Sequence, residues 1–207
     1  MDGTVIPLST VRAQREAAPA PREEIAVLSL ELHPREGASG VSEEDLADGV
    51  RRKVHDRCIR AALVVAGRAG GVLALAGTSA HPVVEARFHG DEAAIRAADT
   101  AVEIAHAVRE AQRSGERSVA VAAAVATGTR ARIPSGVAVS SGSPWRVADR
   151  LRDLARPGEL LLGGAAAETA AGELSATAAA RTTIDPSIGT VPVWRVRVAS
   201  HPTEIVE

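Results

Sequence analysis

Aromatic side chains are almost missing from this 207-residue chain. It has no tyrosine, one phenylalanine (Phe88) and two tryptophans, Trp145 and Trp194. Stacking platforms for single-stranded nucleic acid are thereby nearly excluded, and the core must be built from Ala, Val, Leu and Ile. Cysteine is equally scarce: Cys58 stands alone, so an internal disulfide and cysteine-based zinc or iron–sulfur centres are ruled out. Lysine occurs once, at Lys53, among 24 basic residues. That bias, with the alanine excess, fits a GC-rich genome and leaves one candidate for any chemistry needing a lysine. Neither sign of charge dominates: 24 basic residues face 26 acidic ones, a net charge of -2, which argues against a nucleic-acid partner. No apolar run approaches the roughly 18 residues that cross a bilayer. The first 24 residues also lack the apolar stretch of a secretory leader. We therefore expect no membrane partner and a cytoplasmic location.

What is present is an ordinary globular composition, 45% apolar and 24% charged. Residues 1–23 read as a flexible tail that ends in Ala17-Ala18-Pro19-Ala20-Pro21, residues 24–197 as one domain, and residues 198–207 as a second tail. Residues 25–32 form a buried strand ended by His33-Pro34. Ser42 caps a helix over about 43–67, with Val50, Val54 and Cys58 on its apolar stripe and Gly67 or Gly70 at its close. Residues 71–77 and 82–88 are the arms of a hairpin that turns at 78–81. A second helix spans 91–113, with Ala94, Ile95, Ala98, Val102, Ala105 and Val108 inward and Gly115 as its stop. A strand at 118–127, a hairpin tip at 134–136 and a loop at 140–142 follow. Ser143-Pro144 starts a third helix that runs to Ala155. A strand at 159–162, a short helix at 164–171 and strands at 173–183 and 190–197 complete the chain. The order β, α, ββ, α, ββ, α, β, α, ββ predicts an α+β fold, a ferredoxin-like, palm-type sheet with helices packed on one face.

Common nucleotide and hydrolase motifs are absent. No glycine-rich dinucleotide fingerprint, phosphate-binding Gly-Lys-Ser/Thr loop or Gly-x-Ser-x-Gly elbow occurs. The histidines His33, His55, His81, His89, His106 and His201 lack metal-site spacing, so each reads as a surface or loop residue. Cys58 reads as a small packed hydrophobe and Ser143 as a helix cap. Glu31 is a carboxylate inside an apolar strand. Burial is costly unless it is paired, so the plain reading sends its side chain to the sheet edge or solvent, and the functional one makes it a metal ligand. Arg146, Asp149, Arg150 and Asp153 recur at helical spacing. They read as an exposed ion-paired face or, functionally, as arginines set to hold a phosphate near a helix start.

Several stretches, in order, resemble the catalytic domain of class III nucleotidyl cyclases, the adenylate and guanylate cyclases. Ile25-Ala26-Val27-Leu28-Ser29-Leu30-Glu31-Leu32 resembles the family's opening strand, and Val125-Ala126-Thr127-Gly128 its His-Thr-Gly strand end. Residues 142–151, from Gly142 through Arg146 and Arg150 to Leu151, are similar to its Gly-x-x-Val-Asn-x-Ala-Ala-Arg-Leu helix. Residues 155–162 are similar to the Ala-x-Pro-Gly-Glu strand that follows. The resemblance covers about 24–197. It implies a head-to-tail dimer with sites at its interface, and two metal ions held by two aspartates. The first aspartate falls on Glu31, the only candidate metal ligand. The second falls near Pro82, which has no ligand atom; Ser79 is the nearest polar alternative. The purine-reading lysine has no counterpart, because Lys53 lies in the first helix. The ribose-positioning asparagine falls on Arg146, and only the transition-state arginine is matched, by Arg150.

Metal-assisted cyclisation depends on positioning and charge neutralisation. With Pro82 and Arg146 at degenerate positions, the expectation is a catalytically inactive cyclase-like domain serving as a regulatory or dimerisation module in bacterial signalling. No cofactor is expected, with Mg²⁺ or Mn²⁺ needed only if the domain is active. The expected partner is a second copy or another signalling domain, and Trp145 is a candidate interface residue. The alternatives are a nucleotide sensor using Arg146 and Arg150 for phosphate, and a weak cyclase with altered metal ligands.

Overall fold

A computed structural model describes residues 22–34, 48–78, 81–112, 119–131, 139–141, 144–164, 168–170, 174, 177–185 and 189–197. Along these the order is β1 (Arg22–Pro34), α1 (Asp48–Arg68), β2 (Val72–Gly77), β3 (Pro82–His89), α2 (Ala93–Glu110), β4 (Val119–Ala131), β5 (Val139–Ser141), α3 (Pro144–Leu154), β6 (Glu159–Gly163), β7 (Thr177–Asp185) and β8 (Gly189–Arg197). The expected tails lie outside the described residues, apart from Arg22 and Glu23, which open β1. Ser42, Gly115, Ser143, Ser79 and the hairpin tip at 134–136 also fall outside them. Of the short helix expected at 164–171, residues 168–170 are helical.

The sheet runs β2-β3-β1-β4-β6-β8-β7, with β5 paired to β4. β1 lies between β3 and β4, antiparallel to both. A strand with neighbours on both edges and cover on both faces must be apolar nearly throughout, which explains residues 25–32. Alternation then divides its side chains. Ala26, Leu28, Leu30 and Leu32 enter the larger core beneath α1 and α2, with Cys58, Phe88 and Ile104. Val27 enters the smaller core on the opposite face, with Ala124, Val147, Ala148 and Leu151. Helices on one face therefore describe α1 and α2, while α3 packs on the other. α3 carries the chain from β4 to β6, which run parallel and so need such a crossover.

Two local expectations shift, and one pair of alternatives is decided. α2 buries Ala93, Ala94, Ala97, Ala98, Ala101, Ile104 and Val108, whereas Ile95, Val102 and Ala105 are only half-buried. The alanine stripe wins because its short side chains let the helix lie close to the sheet. Ser140 and Ser141 belong to β5, not to a loop, because they pair with Arg130 and Thr129. Gly67 stays inside α1, and Gly70, at φ 79°, ends the helix while the Gly71 amide donates to the Ala66 carbonyl. On the other face the close approach is made by Gly163 of β6, where an added Cβ would overlap Leu151 Cδ1 of α3.

Candidate functional site

Period-two alternation puts Ser29 and Glu31 on the same face of β1, the one that α3 covers. They are the two polar residues in the 25–32 run, and both meet α3. Ser29 is fully buried and donates from Oγ to Asp149 Oδ1 at 2.9 Å. Arg152, one turn beyond the buried Ala148, reaches back to the sheet. Its Nη1 donates to Ser29 Oγ at 2.8 Å and to Asp149 Oδ1 at 3.0 Å, and its Nη2 donates to Asp153 Oδ1 at 2.8 Å. Its Nε lies 3.7 Å from Glu31 Oε2. The side chains of Arg152 and Glu31 are only 13% and 14% exposed, so solvent screens the pair little.

The hairpin β2–β3 reaches the same place from the other side. Glu31 stands opposite Val83 in register, so the turn before β3 lies at Glu31's end of the sheet. Gly77, at φ 80°, starts that turn, where a Cβ would run into the His81 carbonyl. Thr78 closes it: its amide donates to the His81 carbonyl at 3.1 Å, and its Oγ1 accepts from the His81 amide at 3.1 Å. The side chain so delivered is an imidazole, with His81 Nδ1 3.0 Å from Glu31 Oε1. His33, two residues along β1, adds Nε2 at 3.7 Å from Glu31 Oε2. Pro82 is buried at the head of β3, paired with Gly77, and brings no donor or acceptor side chain.

Sequence reasoning places Glu31 at the edge or in solvent; the structure corrects this, because the carboxylate is largely buried and paired. The exposed ion-paired face of α3 is corrected in part. Arg146 and Arg150 do lie exposed, on the outer side of the helix. Asp149 turns instead toward the sheet, and Asp153, though exposed, pairs with Arg152. The geometry thus brings Glu31 together with Arg152, His81 and Asp149, not with Arg146 or Arg150. Arg152 and Ser29 were missed, although a helical wheel carries the signal: Arg152 follows Ala148 by four residues and so borders the buried face. The histidines are not uniformly superficial either. His55 is buried in α1, and His33 and His81 meet Glu31. Cys58 is buried as expected, its Sγ 3.9 Å from the Val108 carbonyl. Trp145 is half-buried against the smaller core with the Arg87 guanidinium over its ring, 5.5 Å from the centroid, so it is engaged within the chain itself.

With fold and site in view, the comparison with solved structures is decisive for architecture. The chain matches the guanylyl cyclase Cya2 at 18% identity and a TM-score of 0.59, covering 90% of this chain and 98% of that one. It matches an adenylate/guanylate cyclase/hydrolase from Silicibacter pomeroyi at 19% identity and a TM-score of 0.61, covering 86% and 98%. A non-canonical dimeric guanylyl cyclase domain of the RhoGC fusion protein from the aquatic fungus Blastocladiella emersonii matches at 11% identity and a TM-score of 0.57, covering 86% and 98%. No protein-family model and no curated protein matches the sequence. The fold is that of the adenylyl and guanylyl cyclase structures it matches, and at these identities the likeness is one of fold. Among the described residues no helix is long and apolar enough to cross a membrane.

The divalent ions that the resemblance implies do not fit the residues present. Glu31 already faces two histidines and a guanidinium, and the hairpin turn supplies His81 and Pro82 where a second carboxylate is needed. Among the described residues no group of three or more His, Cys, Asp or Glu side chains could hold a metal ion.

Proposed function

We propose that this chain is a catalytically inactive cyclase-homology domain that acts as a regulatory or dimerisation module in bacterial signalling, in the cytoplasm and without a metal cofactor. The observation that carries this reading is the occupied carboxylate: Glu31, itself largely buried, lies between Arg152 and the exposed His81. Cyclisation needs the 3′-hydroxyl and the α-phosphate held together by cations that neutralise developing charge. A carboxylate whose oxygens already face a fixed guanidinium and an imidazole offers a cation little, and a second ligand is missing at Pro82. Arg150 lies at the transition-state position of the family motif, but a charge-stabilising arginine without its metals has no reaction to stabilise.

Dimerisation is supported by the likeness to the dimeric fungal guanylyl cyclase domain and by the exposed apolar edge strand β2. The test is direct. Purified protein incubated with ATP or GTP and Mg²⁺ or Mn²⁺ forms no cyclic nucleotide above a blank lacking protein. Product formation that disappears in Glu31→Gln overturns the proposal in favour of a weak cyclase with rearranged ligands. Calorimetric titration with the same nucleotides gives no heat of binding; heat lost on Arg146→Ala or Arg150→Ala makes the domain a nucleotide sensor instead.

A further inference from the structure

Arg152 is the one cation of α3 that turns to the sheet, and it gathers unusual company there. Asp149, Asp153 and the Ser29 hydroxyl each accept from its Nη atoms at 2.8–3.0 Å, and Glu31 lies 3.7 Å from its Nε. That Nε is buried and has no hydrogen bond, so Glu31 answers its charge without a directional contact. The oxygens around the guanidinium are carboxylate and hydroxyl oxygens, the hard donors that Mg²⁺ and Mn²⁺ prefer. A surface ion pair would not be drawn into such a cluster, because long side chains on an outer helix face stay solvated. Here the helix is pressed onto β6 at Gly163, and the Arg152 side chain is only 13% exposed.

We infer that the Arg152 guanidinium is a tethered cation that takes the electrostatic place of a divalent ion beside Glu31 and keeps such ions out. The inference deepens the proposed inactive state and rests on it: the domain lost its metals not only through a missing ligand at Pro82 but through an internal replacement. A fixed positive charge against Glu31 and Asp149 repels a second cation at the same oxygens, and its Nη1 takes a lone pair of Asp149 Oδ1. Its removal leaves Glu31 with only the two histidines beside it, and Asp149 and Ser29 Oγ without the guanidinium, and these oxygens then take up a hard divalent ion.

The experiment follows Mn²⁺ binding to the full chain, without nucleotide, by loss of the electron paramagnetic resonance signal of the free aquo ion. In the wild type, Glu31→Gln leaves Mn²⁺ uptake unchanged. Arg152→Ala binds Mn²⁺ at least tenfold more tightly than the wild type, and Glu31→Gln added to Arg152→Ala abolishes the gain. Should Arg152→Ala lose its circular dichroism spectrum, Arg152→Gln, which is neutral and keeps part of the aliphatic stem, carries the same expectation. Mn²⁺ bound to the wild type and lost in Glu31→Gln overturns the inference, as does a folded Arg152 variant with no gain. If both Arg152 variants unfold, the wild-type comparison with Glu31→Gln decides alone. Failure here with no cyclic nucleotide made overturns only the role of Arg152; cyclic nucleotide made by the wild type overturns the inactive reading itself.

Discussion

Ser29 shows how much a single hydroxyl can carry when no water reaches it. It is fully buried, donates to Asp149 and accepts from Arg152, so it joins the strand to the helix through both of its hydrogen-bonding roles. Ser29→Ala leaves a largely buried guanidinium N–H and an oxygen of the half-exposed Asp149 short of one partner each. Bonds to charged groups are stronger than neutral ones, and we expect a loss of about 1.5–3 kcal/mol in denaturant-induced unfolding. The sequence placed Ser29 correctly within a buried strand, but a serine in an apolar run is silent about its partners. Those lie 120 and 123 residues away and become neighbours only when α3 crosses the sheet. Glu31 was legible as an anomaly for the same reason that its company was not. A carboxylate among Leu and Ala announces a cost, but the imidazole and the guanidinium that answer it come from the hairpin turn and from α3.

At the level of elements, the sequence is most legible where a period or a stop signal is local. The β2–β3 hairpin, the Pro144 helix start and the strand after Pro157-Gly158 stand where residue chemistry puts them. It is less legible on which side of an element faces inward when two apolar stripes compete, as in α2. There alanines beat the larger Ile95 and Val102 by allowing a closer approach. The packing of α3 on the opposite face was likewise invisible, because a short amphipathic helix does not say which side of a sheet it covers. Gly163 is the element-level device that lets it settle there. Gly163→Ala pushes the Leu151 side chain, and α3 with it, off β6. The expected cost is about 1–3 kcal/mol, as for other overpacked cores. It should be accompanied by a change in the fluorescence of Trp145, which sits on the same helix, with less change at Trp194 in β8; a Trp194→Phe background separates the two signals.

Over the whole molecule, the sheet ends in β2 on one side and β7 on the other. β2 carries Val-Leu-Ala-Leu-Ala-Gly with no charge, and Val72 and Leu75 are 55% and 60% exposed. Edge strands normally carry charge or proline against unwanted pairing, so an edge this apolar favours cover by a second chain. Light scattering should give a dimer mass, and Leu75→Asp should shift it toward the monomer while changing stability by less than about 0.5 kcal/mol, since the side chain is exposed. A monomer at every concentration counts against the module proposed above. The lone thiol offers a different kind of handle. Cys58 is sealed between α1 and α2, and no other sulfhydryl competes with it. Any reagent that forms a mixed disulfide with it must wait for the two helices to part. The labelling rate of the native protein is therefore a stopwatch for that opening, one that needs no introduced probe and that would show whether a bound partner or ligand slows the clock.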